Sequence, residues 1–187
     1  MSFKFRCGVV LYAGFLAACA DMPAPPAVDA APAFELAGRI AARYQDRAFS
    51  SALRWTQNAG SDEIWLTAPL GQTIAFLQAD ASGATITTAD QKQYRASSIE
   101  NLTRSALGWR LPVAGMHYWV LGRPAPEMPV SLVERDDANR LVRFRQIDWQ
   151  ITFHYSESGA TRPSRIEIAG NDAEIRLVID SLVTQQP

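Results

Sequence analysis

The stretch Phe34-Glu35-Leu36-Ala37-Gly38-Arg39-Ile40-Ala41-Ala42-Arg43-Tyr44 sets a pattern that the rest of the chain repeats. Its apolar side chains fall at alternate positions, with Glu35, Arg39 and Arg43 between them, which is typical of a strand with one buried and one solvated face. The same period of two returns in nine later segments, with further strands expected at 49–56, 64–67, 74–76, 84–88, 130–135, 140–146, 147–155, 165–169 and 174–180.

Two segments interrupt the alternation. Ser97 followed by Glu100 reads as a capping box, and apolar residues then recur at helical spacing as far as Gly108. After Pro112, residues 113–122 predict a second, shorter helix. The strands follow at intervals of roughly 10 residues with turn clusters between them, which indicates an antiparallel meander. We therefore expect a mainly β fold (α+β), an open or closed antiparallel sheet with helices on one face.

The first residues differ in kind from this body. Lys4 and Arg6 precede an uncharged run that is too short to span a bilayer, so residues 1–18 are predicted to be a secretory signal peptide. Leu16-Ala17-Ala18-Cys19 matches the lipobox of bacterial lipoproteins. Cys19 is therefore expected to become the lipid-bearing first residue of the mature chain. Ala20 follows it, where enterobacterial lipoproteins retained in the inner membrane have aspartate, which favours sorting to the outer membrane.

Residues 19–33 form the predicted tether, in which four prolines lie among alanines, a composition that favours an extended chain of about 40 Å. Without Lys4 and Arg6, 16 basic and 19 acidic side chains remain, a formal charge of −3. This balance argues against nucleic acid as a partner. Because Cys7 is removed with the signal and the thiol of Cys19 is expected to carry lipid, no free cysteine is expected for a disulfide, a thiol nucleophile or a metal site.

Six motifs at 34–40, 53–57, 68–71, 107–113, 118–122 and 146–151 resemble the LolB family in the same order, from residue 34 to about residue 182 of a predicted body that spans residues 34–187. The resemblance implies an incomplete antiparallel β-barrel of about eleven strands, with short helices covering the concave face and an apolar cavity for acyl chains. It also implies a monomeric receptor on the periplasmic face of the outer membrane. Such a receptor takes cargo lipoproteins from a LolA-type carrier and inserts them into phospholipid, without a cofactor or metal.

Leu70 is the leading candidate for a functional residue. It lies between Pro69 and Gly71 in a turn between two expected strands. A buried leucine is unusual in such a turn, and an exposed leucine is unfavourable because its apolar side chain contacts water. In the family the matching leucine projects from the body and meets the membrane during cargo insertion. The broad aromatic side chains suit either an ordinary core or a lipid cavity. The residues expected to line the cavity are Trp55, Phe76, Met116, Trp119 and Trp149.

Other functions remain open from the sequence. His117 and His154 have no partner at metal-ligand spacing, and neither a nucleophile elbow nor a phosphate loop occurs, so no catalytic residue is predicted. One alternative is a non-catalytic envelope lipoprotein that binds another lipid or scaffolds envelope assembly. A less favoured one is a periplasmic lipid hydrolase. Arg39 and Arg43, on the polar face of the first strand, could steer a charged carrier or could simply be solvated.

Overall fold

The computed structural model describes residues 33–58 and 60–184. The expected signal peptide, Cys19 and every residue of the tether except Ala33 lie outside the described residues. Cleavage and lipidation at Cys19 therefore stay predictions.

Eleven antiparallel strands make up a single sheet in the described part of the chain. Its order is β6-β5-β4-β3-β2-β1-β11-β10-β9-β8-β7, so β6 and β7 are the two edges and the barrel does not close. The expectation of an incomplete barrel of about eleven strands is confirmed. The strands are β1 Phe34–Tyr44, β2 Arg47–Asn58, β3 Ser61–Thr67, β4 Thr73–Asp80, β5 Gly83–Thr88, β6 Gln93–Ala96, β7 Val130–Arg135, β8 Leu141–Gln146, β9 Trp149–His154, β10 Arg165–Gly170 and β11 Ala173–Thr184.

Two helices, α1 (Ile99–Leu107) and α2 (Val113–Trp119), connect β6 to the second half of the sheet. The predicted end of the first helix is confirmed, since Gly108 adopts a left-handed φ of 86° and its N–H donates to Arg104 O. The expected capping box is wrong. Ser98, not Ser97, caps α1 by accepting from the N–H of Asn101 at 3.2 Å.

Glu100 does not cap α1 but links the two helices. Its Oε1 accepts a hydrogen bond from the N–H of Ala114 at 3.1 Å, in the first turn of α2. A carboxylate at the start of a helix satisfies an otherwise unpaired N–H and complements the helix dipole. This contact therefore fixes the position of α2 relative to α1.

The alternation seen in the sequence divides the sheet into two faces. Phe34, Leu36 and Ile40 of β1 are buried on the concave side beneath the helices. On the convex side, Arg39 pairs with Asp180 at 3.1 Å and Arg43 with Glu174 at 2.8 Å, both in solvent. Because these two arginines already face carboxylates, their charge is largely balanced where it lies.

Ile147 departs from the expected pattern. Gln146 pairs with Trp149, so residues 147 and 148 form the turn between β8 and β9. Ile147 lies there at a φ of 53° and is 59% exposed, a costly conformation for a β-branched side chain. The expected start of a strand at Ile147 is therefore wrong, since β9 begins at Trp149.

The strand directions define two ends of the half-barrel. The turns of the hairpins β1–β2, β3–β4, β5–β6, β8–β9 and β10–β11 all lie at one end, which we call the hairpin rim. The chain enters at the other end, where Phe34 pairs with Gln57 and Thr184. The segment preceding β1 thus joins the body at the end remote from the rim.

Candidate functional site

A cavity of about 700 Å³ lies between α1 and the concave face of the first strands. Its walls are mainly apolar, with aliphatic side chains from β1 to β5 facing α1 and the start of α2. The lining residues are Ile40, Ala42, Tyr44, Asp46, Arg47, Ala48, Phe49, Leu53, Trp55, Ile64, Leu66, Ile74, Ala75, Leu77, Ile86, Thr88, Leu102, Thr103, Ala106, Trp109, Leu111, Val113 and Met116.

The cavity has a deep end and an open end. Trp55 and Met116 are only 1% and 2% exposed and form the deep end. Arg47, Ala48 and Phe49 also line the cavity, but they are exposed at the hairpin rim. An apolar ligand that enters or leaves by this mouth therefore passes the rim.

Residues 68–72 form a tight loop between β3 and β4 at the same rim. Ala68 N–H donates to Gln72 O at 2.8 Å and Gly71 N–H donates to Ala68 O at 2.9 Å. This is a three-residue hairpin loop in which Gly71 adopts the left-handed conformation, with a φ of 84°. Pro69 suits the first corner of such a turn because its φ is already fixed. The loop holds Leu70 at its tip, where the side chain is 90% exposed.

The Leu70 loop stands beside the mouth of the cavity. Leu66 and Ile74, which flank it on β3 and β4, both line the cavity wall. The register shifts by one residue between Leu66 and Thr67, which disturbs the alternation next to the loop. The exposed leucine therefore lies on a loop whose two flanking strands both contribute apolar side chains to the cavity wall.

Of the five aromatic and methionine side chains expected in the cavity, Trp55 and Met116 line it. Phe76 does not, and this expectation is corrected. Side chains alternate along β4, and the cavity side is taken by Ala75 and Leu77. Phe76 points to the convex face, where its ring stacks on Trp65 with centroids 3.9 Å apart.

Trp119 and Trp149 are buried but line a different space, a groove of about 530 Å³ at the rim. Trp119 Nε1 donates to Gln146 Oε1 at 2.8 Å, which turns its ring away from the cavity. Gly115 permits this because a side chain there would overlap the indole of Trp119. The expectation that these two tryptophans line the cavity is corrected as well.

Tyr44 and Trp109 were not among the residues expected in the cavity, although both line it. Their rings stack with centroids 6.3 Å apart, and both also line the groove that holds Trp119. The stacked pair is therefore the wall between the two spaces. The sequence could have pointed to Trp109, because this residue directly follows Gly108, which ends α1. Nothing in the sequence distinguishes Tyr44 from other residues at the end of a strand.

A buried polar cluster lies behind the deep end of the cavity. Asp62 of β3 accepts from Trp55 Nε1 at 2.7 Å and pairs with His117 Nε2 of α2 at 2.8 Å. The ring of Trp55 lies against that of His117, with centroids 5.5 Å apart. This cluster fastens α2 to β2 and β3.

No helix within residues 33–58 and 60–184 is both long and apolar enough to cross a membrane. The same residues contain no group of three or more side chains that could hold a metal ion.

The fold and the cavity define an apolar-ligand-binding half-barrel with an exposed hydrophobic loop at its mouth. The family model described as outer membrane lipoprotein LolB matches residues 32–181. The chain therefore belongs to the LolB family. Membership confirms the expected lipid-anchored location at the outer membrane and the expected function as an outer-membrane lipoprotein receptor.

Relatives named Outer-membrane lipoprotein LolB support this assignment over most of the chain. The relative from Nitrosomonas europaea is 37% identical over 151 residues, covering 79% of this chain and 71% of its own. The relative from Thiobacillus denitrificans is 36% identical over 171 residues, covering 89% and 90%.

Solved structures with similar chain paths include a LolA superfamily protein from Nitrosomonas europaea. Its TM-score is 0.48 at 10% sequence identity, covering 83% of this chain and 87% of that one. A putative outer membrane lipoprotein-sorting protein domain from Vibrio parahaemolyticus has a TM-score of 0.48 at 9% identity, covering 84% and 87%.

Proposed function

We propose that the protein accepts the acyl chains of cargo lipoproteins from a LolA-type periplasmic carrier into its cavity and releases them past Leu70 into the phospholipid of the outer membrane. The observation that carries this proposal is the position of Leu70, 90% exposed at the tip of a loop whose flanking residues line the cavity. The hydrophobic tip thus lies next to the exit from the cavity.

The energetics of transfer favour such an arrangement. Each methylene moved from water into an apolar site contributes about 0.8 kcal/mol, so free acyl chains are too costly to cross water unprotected. A cavity with an open mouth shields the chains while it leaves a route to the bilayer. Transfer then needs no energy source, provided that acyl affinity rises from the carrier to the receptor and from the receptor to the membrane.

We further propose that the protein acts without catalysing bond cleavage. His117 faces a carboxylate and an indole, and this set contains no hydroxyl or thiol nucleophile that a histidine would activate. Thr103, a hydroxyl at the cavity, donates to Glu100 O and accepts from Leu111 N–H, which gives it a structural role. One chain surrounds the whole cavity, so we propose that it works as a monomer.

Leu70→Glu tests the proposal, with the full chain in vesicles and a LolA-type carrier loaded with a lipoprotein. A carboxylate at the tip is expected to resist entry into the bilayer but to leave the cavity intact. Cargo should still co-purify with the variant, while the fraction resistant to alkaline extraction from the vesicles falls at least tenfold.

Leu132→Glu is the matched control because Leu132 is also an exposed leucine, at 66%, but lies on the edge strand β7. It should insert cargo at the normal rate. Equal insertion by the Leu70→Glu variant would refute the proposed exit, and loss of cargo uptake by that variant would refute the separation of uptake from insertion.

A further inference from the structure

The convex face of the β3–β4 hairpin carries an aromatic pair that the cavity does not use. Trp65 is 39% exposed, and its ring lies nearly parallel to that of Phe76, with an interplanar angle of 22° and centroids 3.9 Å apart. Single exposed apolar residues are ordinary on protein surfaces. A stacked aromatic pair on the same hairpin as the exposed Leu70 is less common and suggests a functional role.

The part of the hairpin around this pair and towards the loop carries no charge. Residues 64–79, which include the loop and most of both strands, contain no Asp, Glu, Lys or Arg. By contrast, the β8–β9 hairpin at the same rim carries Arg143, Arg145 and Asp148. The long uncharged segment thus distinguishes the β3–β4 hairpin from the β8–β9 hairpin at the same rim.

Polar and charged side chains lie on either side of the aromatic pair and further from the hairpin rim. The strand register places Arg54 of β2 beside Trp65, and Thr87 of β5 beside Phe76. Glu63, the nearest acidic residue on the outer face of β3, lies one step further from the tip. Arg54 forms no ion pair with any of the residues that the structure describes.

This order of residues matches the layers of a membrane surface. Trp rings favour the boundary between headgroups and hydrocarbon, and an arginine can donate two hydrogen bonds to a phosphate. Trp65 precedes the start of the loop at Ala68 by three residues, about 10 Å along a strand, and Leu70 lies beyond it at the tip, so both positions fit within one half of the ~30 Å hydrocarbon core. An inclined hairpin would therefore place Leu70 in the acyl region and the ring pair at the interface.

We propose that the outer face of the β3–β4 hairpin binds the phospholipid bilayer, with Trp65 and Phe76 at the interface and Arg54 against a lipid phosphate. This proposal rests on the proposed function of Leu70 and extends it from a single tip to an oriented surface. Since the pair lies on the convex side, the protein would contact the bilayer with the outer face of this hairpin. This orientation would hold the cavity mouth against the membrane during release.

Fluorescence quenching tests the depth of Trp65 directly. The full-length protein is placed in phosphatidylethanolamine and phosphatidylglycerol vesicles that contain phosphatidylcholine brominated close to the headgroup. Subtracting the emission of a Trp65→Phe variant, which keeps a stacked ring, isolates the indole of Trp65. We expect that component to be quenched by the bromines, whereas emission equal to that in unbrominated vesicles would overturn the proposal.

A functional readout accompanies the quenching. The double variant Trp65→Ser and Phe76→Ser should take up cargo normally and insert it several-fold more slowly. Tyr94→Ser is the control, because Tyr94 is 51% exposed on β6 but belongs to the concave face. An unchanged insertion rate in the double variant would overturn the proposal.

The two proposals fail in different ways. If Leu70→Glu blocks insertion while Trp65 is not quenched in the wild-type protein, the oriented surface is wrong and the proposed function stands. If Leu70→Glu inserts cargo normally, the proposed function fails whatever Trp65 does. Quenching that persists in the Leu70→Glu variant would show that the outer face binds lipid without help from the loop and would support the surface.

Discussion

The two halves of the sheet differ in how side chains fill the space on their concave face. In the packed half, formed by β8–β11 and α2, most inward side chains are buried against one another. The residues of this half that are at most 1% exposed include Phe144, Ile151, Ile166, Ile168 and Leu177. In the hollow half, formed by β2–β5 and α1, the inward side chains instead surround about 700 Å³ of empty space.

The packed half is closed by Trp119 and the loop that follows α2. Gln146 of β8 accepts from Trp119 Nε1 and from Ala125 N–H at 2.8 and 3.0 Å. Its amide donates to Ala125 O and Met128 O at 2.7 and 2.9 Å. One buried side chain thus satisfies four polar groups and holds the loop over the sheet.

The hollow half has small side chains where the packed half has large ones. Ala75 and Ala84 are buried in β4 and β5, whereas Phe144 and Phe153 are buried in β8 and β9 of the other half. An empty apolar cavity destabilises a fold because its lining atoms lack dispersion partners. The comparison teaches that the stability of the fold resides mainly in one half, which leaves the other free for a ligand.

The largest loss of stability is expected from Gln146→Leu. This variant leaves four polar groups without their Gln146 partner, three of them buried and one half-buried, at about 1–3 kcal/mol each, so the free energy of unfolding should fall by about 4–12 kcal/mol. Urea unfolding followed by circular dichroism measures the change. Gln78→Leu, at an exposed position of β4, should change stability by less than about 0.5 kcal/mol. A similar small effect of Gln146→Leu would show that the loop is not held by this residue.

A matched pair of leucines compares the halves directly. Leu177→Ala opens a new void in tight packing and should cost about 4–5 kcal/mol, while Leu77→Ala only enlarges an existing cavity and should cost about 2–3 kcal/mol. Both side chains are buried, at 0% and 4% exposure. Equal losses in urea unfolding would contradict the distinction between a packed and a hollow half.

Removing the polar contact behind the cavity should have a smaller effect. His117→Ala leaves Asp62 with the indole of Trp55 as its remaining side-chain partner, which should cost about 1–3 kcal/mol. Because His117 joins α2 to β3, we also expect faster amide hydrogen exchange in α2, measured by mass spectrometry. Exchange that is unchanged in α2 and accelerated elsewhere would speak against this attachment.

The smallest change in stability, within about 1.5 kcal/mol, is expected from Ala75→Phe, because the added ring can enter the empty cavity instead of overpacking a filled core. The variant should nevertheless bind less lipoprotein, since the ring occupies space that acyl chains need. Co-purification of cargo with the protein measures uptake. Normal uptake in a folded variant would indicate that cargo does not use this cavity.

Much of the fold could be predicted because the period of two is clear on the strands that have one wet face. Glu35 and Arg39 mark the outward side of β1 without ambiguity, and Gly108 marks the end of α1. The exposure of Leu70 was also predictable, since Pro69 and Gly71 define a tight turn whose tip has no room for a buried side chain.

The cavity lining could not be predicted in the same way. Residues 74–77 of β4 are apolar on both faces, so composition does not tell whether Phe76 or its neighbours Ala75 and Leu77 point inward. Trp119 is drawn from the cavity by a hydrogen bond to Gln146, a partner 27 residues away in the chain. Both assignments depend on strand register and on long-range contacts. The alternation of apolar and polar residues along the sequence gives no information about either.

Photocrosslinking from two exposed apolar positions tests the central claim most directly, namely that the hollow half alone holds the acyl chains. A benzophenone amino acid replaces Phe49 at the mouth of the cavity, or Val133 on β7 beside the packed half, where the side chains are 38% and 51% exposed. The account predicts that acylated cargo crosslinks at position 49 but not at position 133, and that cargo lacking acyl chains crosslinks at neither. Equal crosslinking at both positions, or crosslinking at position 49 that does not depend on acylation, would contradict it.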